Sequence, residues 1–176
     1  VAEQRDFDRI MAWNRTPEKL TSLANKAAEI GLPFEVVSLD ELGAQADVIV
    51  TITSSFDAIL KDAQVKAGTH IACMGTDTKG KQEVEAALVA RATTFTDEIA
   101  QSITIGECQH AIADSSLQQA DIIELGMVIN GDHKGRTSND EITLFDGTGV
   151  GLQDLAVASA VVELAVKKGI ALEVDF

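Results

Sequence analysis

Apolar positions along the 176-residue chain alternate between short β-type runs and stretches spaced by three and four, the pattern of βαβ units around a parallel sheet. The run at residues 9–14 predicts a strand that turns at Arg15-Thr16-Pro17-Glu18 into a helix, with Thr16 as its cap and Pro17 at its first position. Leu20, Leu23, Ala24, Ala27 and Ile30 then share one helical face, and Gly31 followed by Pro33 ends it.

The same reading places strands at residues 34–38 and 47–53, with a short helix at 40–44 between them. The second of these, Asp47-Val48-Ile49-Val50-Thr51-Ile52-Thr53, has the continuous apolar run of a strand covered on both faces. Further strands are expected at 69–74 and 92–96 around a helix at 84–90. Residues 97–130 read as mostly helical, 141–146 as an inner strand, and the chain then enters a long helix ending near Gly169. The tail 171–176 alternates like an edge strand. The class is α/β, and no repeat or linker divides the chain.

Charge narrows the partners. The formal net charge is −14, from 28 acidic against 14 basic residues, which opposes attraction to a polyphosphate backbone and argues against nucleic acid. The longest apolar stretch, Leu155 to Val166, is interrupted by Glu163 and followed by Lys167 and Lys168, so no membrane span is expected. Cys73 and Cys108 have no metal-ligand spacing and suit free thiols in a reducing cytoplasm. His70, His110 and His133 show no ligand spacing either, and no metal is expected.

The run Gly135-Arg136-Thr137-Ser138-Asn139-Asp140-Glu141-Ile142-Thr143-Leu144-Phe145-Asp146-Gly147-Thr148-Gly149, followed by Gly151-Leu152-Gln153-Asp154-Leu155-Ala156, resembles the signature of the ornithine cyclodeaminase/mu-crystallin family. Trp13-Asn14-Arg15-Thr16, Val50-Thr51-Ile52-Thr53 and Gly75-Thr76-Asp77-Thr78-Lys79-Gly80-Lys81-Gln82-Glu83 agree with it in the same order, so the resemblance covers essentially the whole chain. It implies a Rossmann-like, doubly wound, mostly parallel sheet binding NAD(H) or NADP(H), and a separate N-terminal dimerisation domain that supplies substrate-binding Lys and Arg residues. Residues 1–176 are then a partial NAD(P)-binding domain without its first strand, its glycine-rich loop or the N-terminal domain, since no G-x-G-x-x-G occurs. In the usual strand order that first strand lies between the strands at 9–14 and 47–53, so two edges should stand unpaired and invite another strand.

Asp77 follows the carboxyl end of a predicted parallel strand, where open α/β sheets place ligands, and Gly75 and Gly80 let backbone approach a bound molecule. By resemblance Asp77 is the catalytic carboxylate that handles protons near the substrate nitrogen; without it, an Asp beside Gly-rich backbone organises a turn. Asn14, Arg15 and Thr16 follow the second Rossmann strand, where they suit a 2′-phosphate and tip the cofactor toward NADP(H), although a capped helix start with a solvated arginine looks the same. Thr51 and Thr53 end a strand where hydroxyls and backbone reach the ribose or pyrophosphate. By resemblance Thr148 and Gly149 lie near the nicotinamide, and Gly147 replaces the Ser often found there. Arg136 and Glu141 are expected to brace the signature loop, as an ion pair or a polar bracket.

The activity implied is hydride transfer between a nicotinamide cofactor and a small α-amino acid or its imine or ketimine, in a cytoplasmic homodimer of the full-length protein, with this fragment inactive alone. The alternative is a mu-crystallin-like ligand-binding or structural protein; Asp77, which that branch need not keep, favours the enzyme.

Overall fold

In the computed structural model, residues 5–174 are described, and they form two parallel sheets with their helices. Strand β1 (Ile10–Ala12) leads through a 3-10 turn at Pro17–Leu20 into helix α1 (Thr21–Glu29) and returns in β2 (Phe34–Val36), which pairs in parallel with β1, Ile10 opposite Phe34. Helix α2 (Leu39–Gln45) follows, opened by a capping box in which Glu41 N–H donates to Ser38 Oγ and Ser38 N–H donates to Glu41 Oε2.

The second sheet has five strands: β3 (Val48–Thr51), β4 (His70–Cys73), β5 (Thr93–Thr96), β6 (Ile123–Glu124) and β7 (Thr143–Asp146). Their spatial order is β3-β4-β7-β5-β6, every pair parallel. The last strand to form along the chain is therefore the middle one. Its Leu144 is fully buried with Ile71, Leu60, Val84, Leu88 and Val89, the latter two from helix α3 (Ala86–Arg91). Each such aliphatic side chain contributes about 1.5–3 kcal/mol over leaving it in water. Short helices α4 (Ile99–Ser102), α5 (Gln109–Ala113) and α6 (Leu125–Asn130) complete the crossovers, and α7 (Gly151–Lys167) leaves the sheet after β7.

The edges of β1 and β3 do not meet. Between them lies an apolar trough of about 640 Å³, lined from one side by Ile10, Ala12 and Trp13 and from the other by Val48, Val50 and Ile52. The two unpaired edges expected from the sequence are thus present, and the sheet is not closed across them.

Four expectations are corrected. Val48 and Val50 on β3 are exposed while Ile49 between them is buried, so this strand is covered on one face only. Thr16 caps no α-helix: its own N–H donates to Asn14 Oδ1, a 3-10 turn intervenes, and α1 starts at Thr21. The stretch 97–130 contains strand β6, which two residues of length hide from any periodicity. Residues 171–174 form no strand, and the rest of that predicted element lies outside the described residues. No helix among the described residues is long and apolar enough to cross a membrane.

Candidate functional site

Because β3, β4 and β7 are adjacent and parallel, the segments that follow them emerge along one edge of the sheet. Open α/β sheets bind ligands at this carboxyl edge. A cavity of about 260 Å³ sits there, lined by Met74, Asp77, Asp97, Phe145, Gly147 and the Thr148–Gly149 turn. It joins three residues picked from the sequence, Asp77 and, about 70 positions further along the chain, Thr148 and Gly149.

Asp77 is largely open to solvent and accepts from Lys81 Nζ at 2.6 Å and from Thr78 Oγ1 at 3.1 Å. The hydrogen bond from Lys81, then that from Thr78 and the Lys81 charge, hold its carboxyl below the ordinary range. Lys81 also donates to the carbonyl of Gly75 at 3.4 Å, which ties the carboxylate to the turn that presents it.

Asp97, at the end of β5, was not singled out by the sequence. Its Oδ1 accepts from the N–H and hydroxyl of Thr148 at 3.1 and 2.6 Å, and its Oδ2 from the N–H of Gly149 at 3.0 Å. Gly149 has φ 73°, which costs a side-chain-bearing residue strain that glycine escapes. A methyl group at Gly147 would come within 2.8 Å of Met74 Sδ, so the glycine leaves the methionine its place in the cavity wall.

Thr51, Thr53 and Gly75 meet at a carboxylate that sequence reasoning passed over. Glu83, fully buried, accepts from Thr51 Oγ1 at 2.8 Å, from Gly75 N–H at 2.9 Å and from Thr53 N–H. The Thr51 hydroxyl is therefore engaged inward. Two more buried acids extend the arrangement: Glu107 accepts from the N–H groups of Glu83 and Val84, and Asp146 accepts from the N–H of Glu107 and the hydroxyl of Ser102. Burial pushes Glu107 up to about 7 and Asp146 up to about 6. In sequence Glu83 and Glu107 carry no sign of burial and Asp146 only closes an inner strand; their donors sit between 8 and 44 positions away, which no local pattern reveals.

Asn14 lines the trough between β1 and β3 together with Thr51 and Thr53, whereas Arg15 and Thr16 are exposed at the turn beyond. Arg136 and Glu141 form a polar bracket without pairing with each other: Arg136 donates to the carbonyls of Gly68 and Thr69, and Glu141 accepts from Thr93, Thr137 and Ser138. Among the described residues no group of His, Cys, Asp and Glu is arranged to hold a metal, and both cysteines are free and buried.

This architecture recurs in known proteins. Over 175 residues the chain is 63% identical to the iminosuccinate reductase of Paracoccus denitrificans, covering 99% of the chain and 54% of that protein. The crystal structure of that reductase in complex with NAD+ superposes with a TM-score of 0.96, again over 99% of the chain and 54% of its own. An archaeal alanine dehydrogenase dimer with bound NAD superposes with a TM-score of 0.92 at 31% identity, over 98% of the chain and 54% of its own. A Delta(1)-pyrroline-2-carboxylate reductase of Bacillus cereus is 30% identical over 98% of the chain and 54% of its own. The chain thus spans about half the length of the relatives it matches. The family model for the ornithine cyclodeaminase/mu-crystallin family matches residues 1–169, and the chain belongs to that family.

Proposed function

We propose that this chain is the cofactor-binding part of a nicotinamide-dependent reductase acting on the imine of a small α-amino acid. The observation that carries this reading is the meeting of Asp77 with the Thr148–Gly149 turn in one cavity at the carboxyl edge of the sheet. The residues suit a dinucleotide. Gly75 and Gly147 stand where a side chain would crowd Thr53 and Met74, which leaves bare backbone at two neighbouring strand ends. Thr53, Gly75, Thr148 and Gly149 would hold the ribose and nicotinamide end, with Asn14, Arg15 and Thr16 at the adenosine end.

When bound, the nicotinamide exchanges hydride with the substrate carbon. Asp77 faces the same cavity as an ionised carboxylate, so it pairs with a protonated imine nitrogen and stabilises the charge that makes its carbon electrophilic. Lys81 keeps Asp77 ionised and aimed. Asp97 fixes the opposite wall by holding Thr148 and Gly149.

NAD(H) is the favoured cofactor, because two solved relatives are named with it. Arg15, exposed after β1, is the feature that speaks for NADP(H) instead. The relatives named for iminosuccinate and Delta(1)-pyrroline-2-carboxylate point to imino acids as the substrate class. In the full-length protein the first Rossmann strand would pair the facing edges of β1 and β3, and a further domain would cover α7. That helix carries Leu152, Leu155, Val157, Val161, Val162 and Val166 exposed around its circumference, and helices apolar on all sides are buried ones. A homodimer and a cytoplasmic location belong to the same reading.

The test is titration of the full-length protein with NADH and NADPH by cofactor fluorescence, followed by reduction of iminosuccinate and of Delta(1)-pyrroline-2-carboxylate. Binding of neither cofactor would overturn the reading, and tighter binding of NADPH would reverse the cofactor assignment.

A further inference from the structure

We propose that Glu83 is a positioning residue that sets the relative placement of the two strand ends receiving the cofactor; this rests on the nicotinamide site proposed above. Its carboxylate is completely buried and makes three contacts, all as acceptor: Thr51 Oγ1 at the last residue of β3, Thr53 N–H just past it, and Gly75 N–H beyond β4. A carboxyl removed from water is costly unless its oxygens accept hydrogen bonds. Here every donor comes from the ligand-binding edge and none from the core below. Gly75 is part of the fit, since a methyl group there would overlap the backbone of Thr53 and lie 2.7 Å from the Glu83 carboxyl carbon.

The position of Glu83 is itself determined by two other buried acids. Its N–H donates to Glu107 Oε1 at 2.9 Å, and the N–H of Glu107 donates to Asp146 Oδ2 at 2.8 Å. Asp146 ends β7, so a series of three carboxylates, in which Asp146 accepts the N–H of Glu107 and Glu107 accepts the N–H of Glu83, runs from the middle strand to the ends of β3 and β4. The Thr148–Gly149 turn leaves β7 immediately after Asp146. Both walls of the site are therefore indexed to one strand.

Glutamine keeps the size of Glu83 but not its acceptor-only character. Its oxygen can serve Thr51 and Gly75, or Thr53, and its amide then opposes the remaining N–H. In the full-length protein Glu83→Gln is expected to weaken NADH binding about tenfold or more, a loss typical of hydrogen bonds to charged acceptors. With saturating cofactor kcat should change by no more than about threefold, since Glu83 does not touch the reacting atoms. Thr51→Val should act in the same direction and less, and should add nothing in the Glu83→Gln background, because its hydroxyl acts through Glu83. Val89→Ala, which removes buried core volume from α3, controls for lost stability and should leave NADH affinity unchanged.

Amide hydrogen exchange in segments 51–55 and 74–76 supplies a readout independent of the cofactor, and it should quicken in Glu83→Gln but not in Val89→Ala. If the wild type binds NADH and Glu83→Gln binds it equally well, or Val89→Ala weakens it as much, the inference is overturned. If the wild type binds no NADH, the nicotinamide reading fails by itself. Unchanged exchange at both segments in Glu83→Gln then overturns the positioning role as well, and quickened exchange upholds it.

Discussion

Asp97 holds Thr148 twice, accepting both its backbone N–H and its hydroxyl on the same carboxylate oxygen, at 3.1 and 2.6 Å. Burial works to raise the Asp97 carboxyl, and the hydrogen bonds from Thr148 and Gly149 outweigh it, leaving it lowered. The end of β5 thereby governs a turn that follows β7. Asp97→Ala should free the turn and reduce kcat/KM about tenfold, the lower end for hydrogen bonds to a charge because the site is partly exposed. Thr148→Val should retain the backbone bond and lose less. Steady-state kinetics of both variants test the ordering; equal losses would mean that the backbone N–H bond contributes nothing.

Asp77 and Lys81 form the other governed pair. Asp77→Asn is expected to lower kcat by about 10²–10⁴, the usual range for a positioned proton-handling group, while NADH affinity stays close to wild type. Lys81→Met removes the largest influence lowering the Asp77 carboxyl. The acid limb of kcat/KM, where Asp77 becomes protonated and inactive, should then move to higher pH. A pH–rate profile that does not move would separate Lys81 from the chemistry.

Glu107 and Asp146 make stability depend on pH in the direction opposite to the usual salt-bridged carboxylate. Their carboxyls rise from 4.5 to about 7 and from 3.8 to about 6, burial being the largest cause. Between those values the folded state keeps protons that the unfolded state has released, so stability falls as pH rises from about 4 to about 7. Glu141, held down at about 2 by hydrogen bonds from Thr93 and Thr137, acts conversely, and its contribution is lost as pH falls through that value. The urea midpoint should therefore decline between about pH 5 and pH 7. Glu107→Gln should flatten the decline, since a glutamine oxygen can accept from Glu83 and Val84 while its amide donates to Thr76. A midpoint that rises over this interval in the wild type would contradict the assignment.

Arg15 offers a clean test of cofactor choice because it is exposed and lies outside the core. If it serves a 2′-phosphate, Arg15→Ala should weaken NADPH by about tenfold and leave NADH unaltered. Equal effects on both cofactors, or on neither, would remove Arg15 from the adenosine end.

The sequence by itself determined the parallel strands and the family. Apolar runs at 9–14, 34–38, 47–53, 69–74, 92–96 and 141–146 each contain an observed strand, because a strand that packs on a core must offer it apolar side chains whatever else surrounds it. The glycines and the Asp77 turn were legible for the same reason: backbone needs at a strand end leave a local residue signature. Tertiary structure alone decided which acids are structural. Nothing local marks the partners of Glu83, Glu107, Asp146 and Asp97, and only folding brings their donors within 3.4 Å from segments remote in the chain. Carboxylates take partners from any direction and impose no periodicity on their neighbours. The chemistry at the edge of this sheet was therefore written locally, while the framework holding it in place exists only once the strands have assembled.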